Sequence, residues 1–291
     1  MEELNYVYDR VAANLRTLTS TTVGLIVTEI ANPYFSEVAD GVHQALGELG
    51  YVVLLGATFD SEEKQDLLLA TMMENRIGGL ILSPVSRLSK GLELRLNSLG
   101  IPTVIIGRKP TGTVFDFVGI DNVYGAKAAV KHLIERGHRR IAFIGGLFND
   151  IHWLERKEGY CQELLLADLD VDESLIINTP VTRSGGVEGI KQMLNHSNRP
   201  TALLCYNDLV AFGVMSALKE LGISPGSDLA VIGFDNIPEA AETDPKLTTV
   251  SLFPNRIGSI AANLLHQRMK GFDDEQQDII IQPKLVVRES G

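Results

Sequence analysis

Short apolar runs alternate with longer amphipathic stretches from residue 23 to residue 232, and this alternation restricts the fold more than any other feature of the chain. The first apolar run, 23–27, is followed by Asn32-Pro33 and then by Phe35, Val38, Val42, Leu46 and Leu49 at helical spacing, until Gly50 stops the helix. The pattern predicts further strands over 51–55, 79–82, 103–106 and 118–120, with helices over 61–76 and 88–99 between them. A second series follows, with helices over 124–136, 152–167, 186–195 and 208–221 and strands over 141–144, 175–177, 202–205 and 229–232. Strands that alternate with helices of this length form right-handed βαβ units and a parallel sheet. Two such series predict an α/β chain of two similar lobes facing each other across a cleft. The tail breaks the series: an extended run at 247–253, a helix over 255–269, and one or two strands over 279–287 interrupted by Pro283. These leftover elements can return to either lobe, which makes the chain cross between lobes more than once and form a hinge.

A length of 291 residues is enough for each of two lobes to bury its own core. The net charge of -11 gives an acidic surface and excludes nonspecific nucleic-acid affinity by the main body, so any contact with DNA falls to a small local element. Cys161 and Cys205 form no CxxC pair and have no histidine at metal-ligand spacing, and they read as buried reduced thiols of a cytoplasmic protein. No export signal is recognisable, and no apolar run approaches the roughly 18 residues of a membrane span, so no membrane partner is expected. The phosphate-loop, dinucleotide-fingerprint, nucleophile-elbow and zinc-protease motifs are all absent, and the six histidines are scattered. No cofactor, no metal site and no catalytic residues are therefore expected, and the chain does not read as an enzyme.

Polar residues cluster just beyond the predicted strand ends. Asn207, Asp208 and Asp235 follow the runs 202–205 and 229–232, at the edge of an open α/β sheet where ligands bind. Arg156, on the helix over 152–167, supplies a guanidinium opposite these acceptors, which suits a polyhydroxylated or heterocyclic small molecule. Each position also has a plainer use: Arg156 as a surface arginine paired with Glu155 or Glu163, Asp235 and Asn207 or Asp208 as helix N-caps. Ligand contact is the reading favoured for Arg156, Asp235 and Asn207, with Asp208 as the cap. Phe59, Phe148, Trp153 and Tyr206 stand in loops or helix starts where a ring stacks on a ligand or packs a lobe. Tyr34, Ser83 and Arg108 follow strand ends on the first lobe and complete the predicted effector contacts.

The chain resembles the lactose-repressor/galactose-repressor (LacI/GalR) family of bacterial transcription regulators along essentially its whole length. The similar segments are Arg10-Val11-Ala12-Ala13-Asn14-Leu15-Arg16, 23–27 with Asn32-Pro33-Tyr34-Phe35, and Val118-Gly119-Ile120-Asp121-Asn122. They continue through 133–141, Arg156 with Gly159-Tyr160, Asn207-Asp208, Gly233-Phe234-Asp235-Asn236-Ile237-Pro238 and Leu247-Thr248-Thr249-Val250. Gly159-Tyr160-Cys161 and Cys205-Tyr206-Asn207 are similar to maltose-system repressors within the family.

The resemblance implies two periplasmic-binding-protein-like (type I) lobes joined by three crossovers, and a homodimer. An effector in the cleft would control operator binding through hinge helices, with Leu15 as the apolar wedge in the minor groove and Asn14 and Arg16 beside it. It divides the chain into a headpiece and hinge remnant over 1–20, a first lobe over 21–121 plus 254–270, and a second lobe over 122–253 plus 271–291. The family's helix-turn-helix headpiece would precede this sequence, with residues 2–6 as the last turn of its third helix, so operator DNA is a partner of the full-length protein only. The expected effector is a sugar, with a purine or a phosphosugar as alternatives. A sugar-binding protein of a transport system shares the fold and remains the rival reading.

Overall fold

The structure is a computed structural model that describes residues 20–85, 91–272 and 275–291. The expected hinge residues Asn14, Leu15 and Arg16 lie outside the described residues, as does the beginning of the helix expected over 88–99. Two six-stranded sheets bear out the two-lobe reading. The first contains β1 (Thr22–Val27), β2 (Val52–Ala57), β3 (Gly79–Leu82), β4 (Thr103–Ile106) and β5 (Asp116–Ile120). The second contains β6 (Ile141–Ile144), β7 (Ile176–Ile177), β8 (Ala202–Cys205), β9 (Ala230–Asp235) and β10 (Thr248–Ser251). Each gains one strand from the tail, β11 (Asp278–Ile281) in the first and β12 (Lys284–Val286) in the second. The strand orders, β11-β5-β4-β3-β1-β2 and β12-β10-β9-β8-β6-β7, repeat one topology.

Helices cover both faces of each sheet. Those introduced along the chain are α1 (Pro33–Gly47), α2 (Glu62–Glu74) and α3 (Leu92–Leu99) on the first lobe. The second lobe carries α4 (Asn122–Glu135), α5 (Ile151–Leu166), α6 (Arg183–Leu194) and α7 (Asp208–Glu220), before α8 (Pro254–Met269) returns to the first. Each sheet therefore has two cores, one per face: Leu25, Ile81 and Val104 face α1 and α8, while Ile26, Leu80 and Ile105 face α2 and α3. Burial on both faces explains why β3, β4, β6 and β8 read as continuous apolar runs and not as alternating ones. The α1–α8 contact is held by two glycines. A Cβ on Gly41 would lie 2.1 Å from the Asn255 carbonyl oxygen, and one on Gly258 would lie 2.1 Å from that of Val38.

The tail departs from the division expected above. β11 pairs in parallel with β5, Asp278 opposite Phe117 through Ile281 opposite Ile120, so residues 278–281 belong to the first lobe and not to the second. Ile281 is buried in the first core with Val118 and Leu265, and that burial favours the first lobe over the second. Only β12 joins the second sheet, antiparallel to β10. The three crossings thus follow β5, β10 and β11. Among the described residues no helix is long and apolar enough to cross a membrane.

Candidate functional site

At the carboxyl ends of the strands the two lobes enclose a cavity of about 530 Å³. Helix caps make much of its polar wall, because a capping side chain spends one atom on the helix and leaves the other beyond its end. Asn32 Oδ1 accepts the Tyr34 amide at 3.0 Å, while its Nδ2 donates across the cleft to Asp235 at 3.4 Å. Asp150 Oδ1 accepts the amides of His152 and Trp153 at the start of α5, at 3.0 and 3.2 Å, and the Tyr206 hydroxyl at 3.1 Å. Its Oδ2 accepts two bonds from Arg108 of the other lobe, at 2.7 and 3.1 Å. Burial opposes ionisation of Asp150, but Arg108, His152 and the cap bonds outweigh it and hold the carboxyl below its ordinary range.

Arg156 forms the floor. Its Nε donates to Asn122 Oδ1 at 3.1 Å, its Nη1 donates to the Tyr206 carbonyl, and its Nη2 lies 4.0 Å from Asp235 Oδ1. The guanidinium also lies over the rings of Phe234 and Tyr206, 4.0 and 4.6 Å from their centroids. A planar, weakly hydrated cation tolerates such a site, where an ammonium would not.

Asp235 ends β9 at φ 118°, followed by Asn236 at φ 58°, two side-chain-bearing residues in a region that glycine favours. The strain is held by neighbours: Arg288 donates to Asn236 Oδ1 at 2.7 Å, and the Asn236 amide donates to Thr249 Oγ1 at 3.3 Å. Burial pushes the Asp235 carboxyl up to about 6, against the pull of Arg156, Asn32 and Asn207. Beneath it, Asp208 is fully buried and accepts the Thr249 hydroxyl and the Ile237 amide. Burial, then the neighbouring Asp235 charge, raise Asp208 well above the carboxylate range.

Nine of the residues predicted from sequence line this single cavity: Arg156, Asp235, Asn207, Tyr34, Phe59, Ser83, Arg108, Phe148 and Tyr206. Trp153 is a correction to the expected set. Its ring is buried in the second core, stacked on Phe143 with the ring centroids 6.1 Å apart. Gly146 at φ 83° leaves the space, since a Cβ there would lie 2.4 Å from the indole. The cap assignment at α7 is also reversed: Asn207 Oδ1 accepts the Val210 amide at 3.0 Å, and Asp208 serves the loop after β9. Asp235 is no cap, since its carboxylate faces Asn32 and Arg156. Sequence reasoning missed Asn32, Asn122, Asp150 and His152 as cavity residues. Their signal was the N-cap or first-turn position of α1, α4 and α5, which reads as helix punctuation until the helices are seen to point at one cleft. Among the described residues no group of three or more His, Cys, Asp or Glu side chains is placed to hold a metal ion.

Residues 130–291 match the family model described as a periplasmic binding protein-like domain. The chain is 35% identical over 288 residues to the HTH-type transcriptional repressor PurR of Vibrio atlanticus (strain LGP32), covering 99% of this chain and 86% of that protein. Among solved structures it is similar to the complex of the transcriptional regulator CelR with cellobiose, with a TM-score of 0.85 and 29% identity over 99% of this chain and 92% of that one. A LacI family transcriptional regulator from Enterococcus faecium with bound ribose gives a TM-score of 0.84 at 26% identity, covering 92% of this chain and 98% of that one.

Proposed function

The chain belongs to the LacI family of transcriptional regulators, and from that premise we propose that it is a sugar-responsive repressor whose effector enters the interlobe cleft. The observation that carries the reading is the convergence of Arg156, Asp235 and Asn207 from the second lobe with Asn32, Ser83 and Tyr34 from the first around one cavity. Such a wall offers donors and acceptors from both sides, as the hydroxyls of a sugar require. The relatives bound to cellobiose and ribose support a sugar as the effector class.

Because the ligand touches both lobes, binding favours the closed arrangement, and by linkage the operator-binding equilibrium shifts by the same factor, typically about 1–3 kcal/mol. The protein acts in the cytoplasm, by binding and without catalysis. It pairs with a second copy through β2, an edge strand with Val52, Leu54 and Leu55 exposed and Leu49 just before it. A long apolar edge of this kind is a template for association.

A thermal-shift panel of sugars, sugar phosphates and purines on wild type and Arg156→Ala tests the cleft. A ligand at 100 times its Kd adds about 2.7 kcal/mol, roughly 5 to 10 °C. A sugar that raises the wild-type Tm by that amount and leaves Arg156→Ala unchanged supports the reading. A panel without any Arg156-dependent shift contradicts it.

A further inference from the structure

Resting on the effector-cleft reading above, we infer that Arg288, in the tail beyond β12, is a positioning residue of the cleft: its guanidinium fixes Asn236 and through it aims the Asp235 carboxyl group at the effector. Asp235 reaches toward both lobes, with Asn32 Nδ2 at 3.4 Å and Arg156 Nη2 at 4.0 Å. Its aim depends on a costly corner at the end of β9, where φ is 118° at Asp235 and 58° at Asn236. Such a corner keeps its shape only where neighbours hold it.

The Asn236 amide donates to Thr249 Oγ1 at 3.3 Å, Asn236 Nδ2 to Ser251 Oγ at 3.5 Å, and the Ile237 amide to Asp208 Oδ2 at 2.9 Å. Arg288 Nη2 donates to Asn236 Oδ1 at 2.7 Å, the shortest of these bonds. A charged donor makes a bond about twice as strong as a neutral one. The arginine is itself fixed. Its Nη1 donates to the Leu247 carbonyl at 2.7 Å and its amide to Thr248 Oγ1 at 2.9 Å. Two residues on, the fully buried Ser290 ties the tail to both neighbouring strands: its Oγ accepts the Thr248 amide at 2.9 Å and donates to the Val231 carbonyl at 2.6 Å.

One planar fork therefore joins the residue that leads into β10 to the corner that follows β9. Asp235 lines the cavity, whereas Arg288 and Asn236 do not, so their influence on a ligand passes through the carboxyl group they support. A contact group whose backbone is held from behind meets its ligand without first paying for its own ordering. The 52 residues between Asn236 and Arg288 make this a support that the tail supplies last, just after the chain has returned to the second lobe at β12.

Isothermal titration calorimetry with cellobiose and ribose on wild type, Arg156→Ala, Arg288→Met, Asn236→Ala and the Arg288→Met/Asn236→Ala double variant tests the link. Arg288→Met and Asn236→Ala are each expected to weaken a sugar that binds wild type by at least about fivefold, and the double variant to lose no more than the weaker single one. A second readout needs no ligand: the pH midpoint of the Asp208–Asp235 pair, followed as the Tm difference between each protein and its Asp235→Asn derivative. Asp235 faces Arg156 and Asp208 of the second lobe and Tyr34 and Glu37 of the first, and neither substitution alters those groups. Both are expected to move the midpoint in the same direction by at least about half a pH unit. Loss of the arginine's charge alone moves it only in Arg288→Met. Arg288→Lys, which keeps the charge and loses the fork, replaces Arg288→Met if that protein does not fold. Arg156-dependent binding that both variants leave within about twofold, losses that multiply, or a midpoint that Asn236→Ala leaves in place overturns the positioning role while the effector cleft stands. Binding of neither sugar, or binding indifferent to Arg156→Ala, counts against the cleft reading, and the midpoint then decides the role of Arg288 by itself.

Discussion

The two lobes repeat one strand order, yet they end differently at the edge and at the cleft. The first sheet finishes on β2, six residues long, with Leu55 53% exposed; the second finishes on β7, only two residues long. A short edge strand offers little to pair with, whereas a long apolar one invites a partner. At the cleft the asymmetry runs the other way: the second lobe holds the buried network of Arg156, Asp208 and Asp235 and the caps Asp150 and Asn207, and the first contributes the cap Asn32 and loop residues that reach over them. Topology therefore leaves roles open. One copy of the fold carries the buried charged groups of the cleft, and the other an exposed apolar edge strand and residues that reach over those groups.

The largest effect that can break this comparison lies at the first-lobe edge. Leu55→Asp places a charge on the apolar face of β2 and is expected to weaken self-association by about 100-fold or more, read by sedimentation velocity across a concentration series. A charge on Ile176 or Ile177 at the opposite edge should leave the oligomeric state unchanged. Equal responses at both edges would erase the distinction.

The buried charged groups of the second lobe are tested by pH. Asp235 has a folded-state value of about 6, above the ordinary carboxylate value, so folding favours its neutral form. That contribution to stability is complete below about pH 4 and is lost as pH rises through 6. Asp235→Asn, permanently neutral, is expected to have a higher Tm than wild type at pH 8, with the difference vanishing toward pH 4. Asp150 moves oppositely, since its depressed value means that its contribution is lost only in more acidic solution, whereas the neighbouring Asp208 is raised like Asp235, so the window from 8 to 5 reads the Asp208–Asp235 pair. A Tm difference independent of pH would mean that the buried carboxyl does not titrate there.

Arg108→Ala removes the paired hydrogen bonds from the first lobe to Asp150 of the second. Losing charged hydrogen bonds to Asp150 should cost the closed arrangement about 1.5–3 kcal/mol, visible as a larger radius of gyration in small-angle scattering without ligand. An unchanged radius would show that other contacts keep the lobes together. The smallest expected effect is at Trp153. Because its ring belongs to the core and not to the cavity, Trp153→Phe should lower stability by about 1 kcal/mol and leave effector affinity within about twofold.

Much of this was legible along the chain. Apolar runs gave the strands, Ser61 and the Asn32-Pro33 step gave helix starts, and the polar residues after the apolar runs 202–205 and 229–232 gave Asn207 and Asp235. These are near-neighbour properties: periodicity, caps and strand ends are written within a few residues of where they act. Three features were decided only by tertiary structure: β11 joined the first sheet, Trp153 turned into the core, and Asp150 met Arg108. The bonds that define the cleft join positions far apart in sequence, 42 residues for Arg108 and Asp150 and 203 for Asn32 and Asp235. No local pattern encodes such a pairing. It follows from how two lobes settle against each other, where burial of Ile281 or of an indole, and the cost of leaving a buried charge unpaired, choose among arrangements that the sequence alone permits.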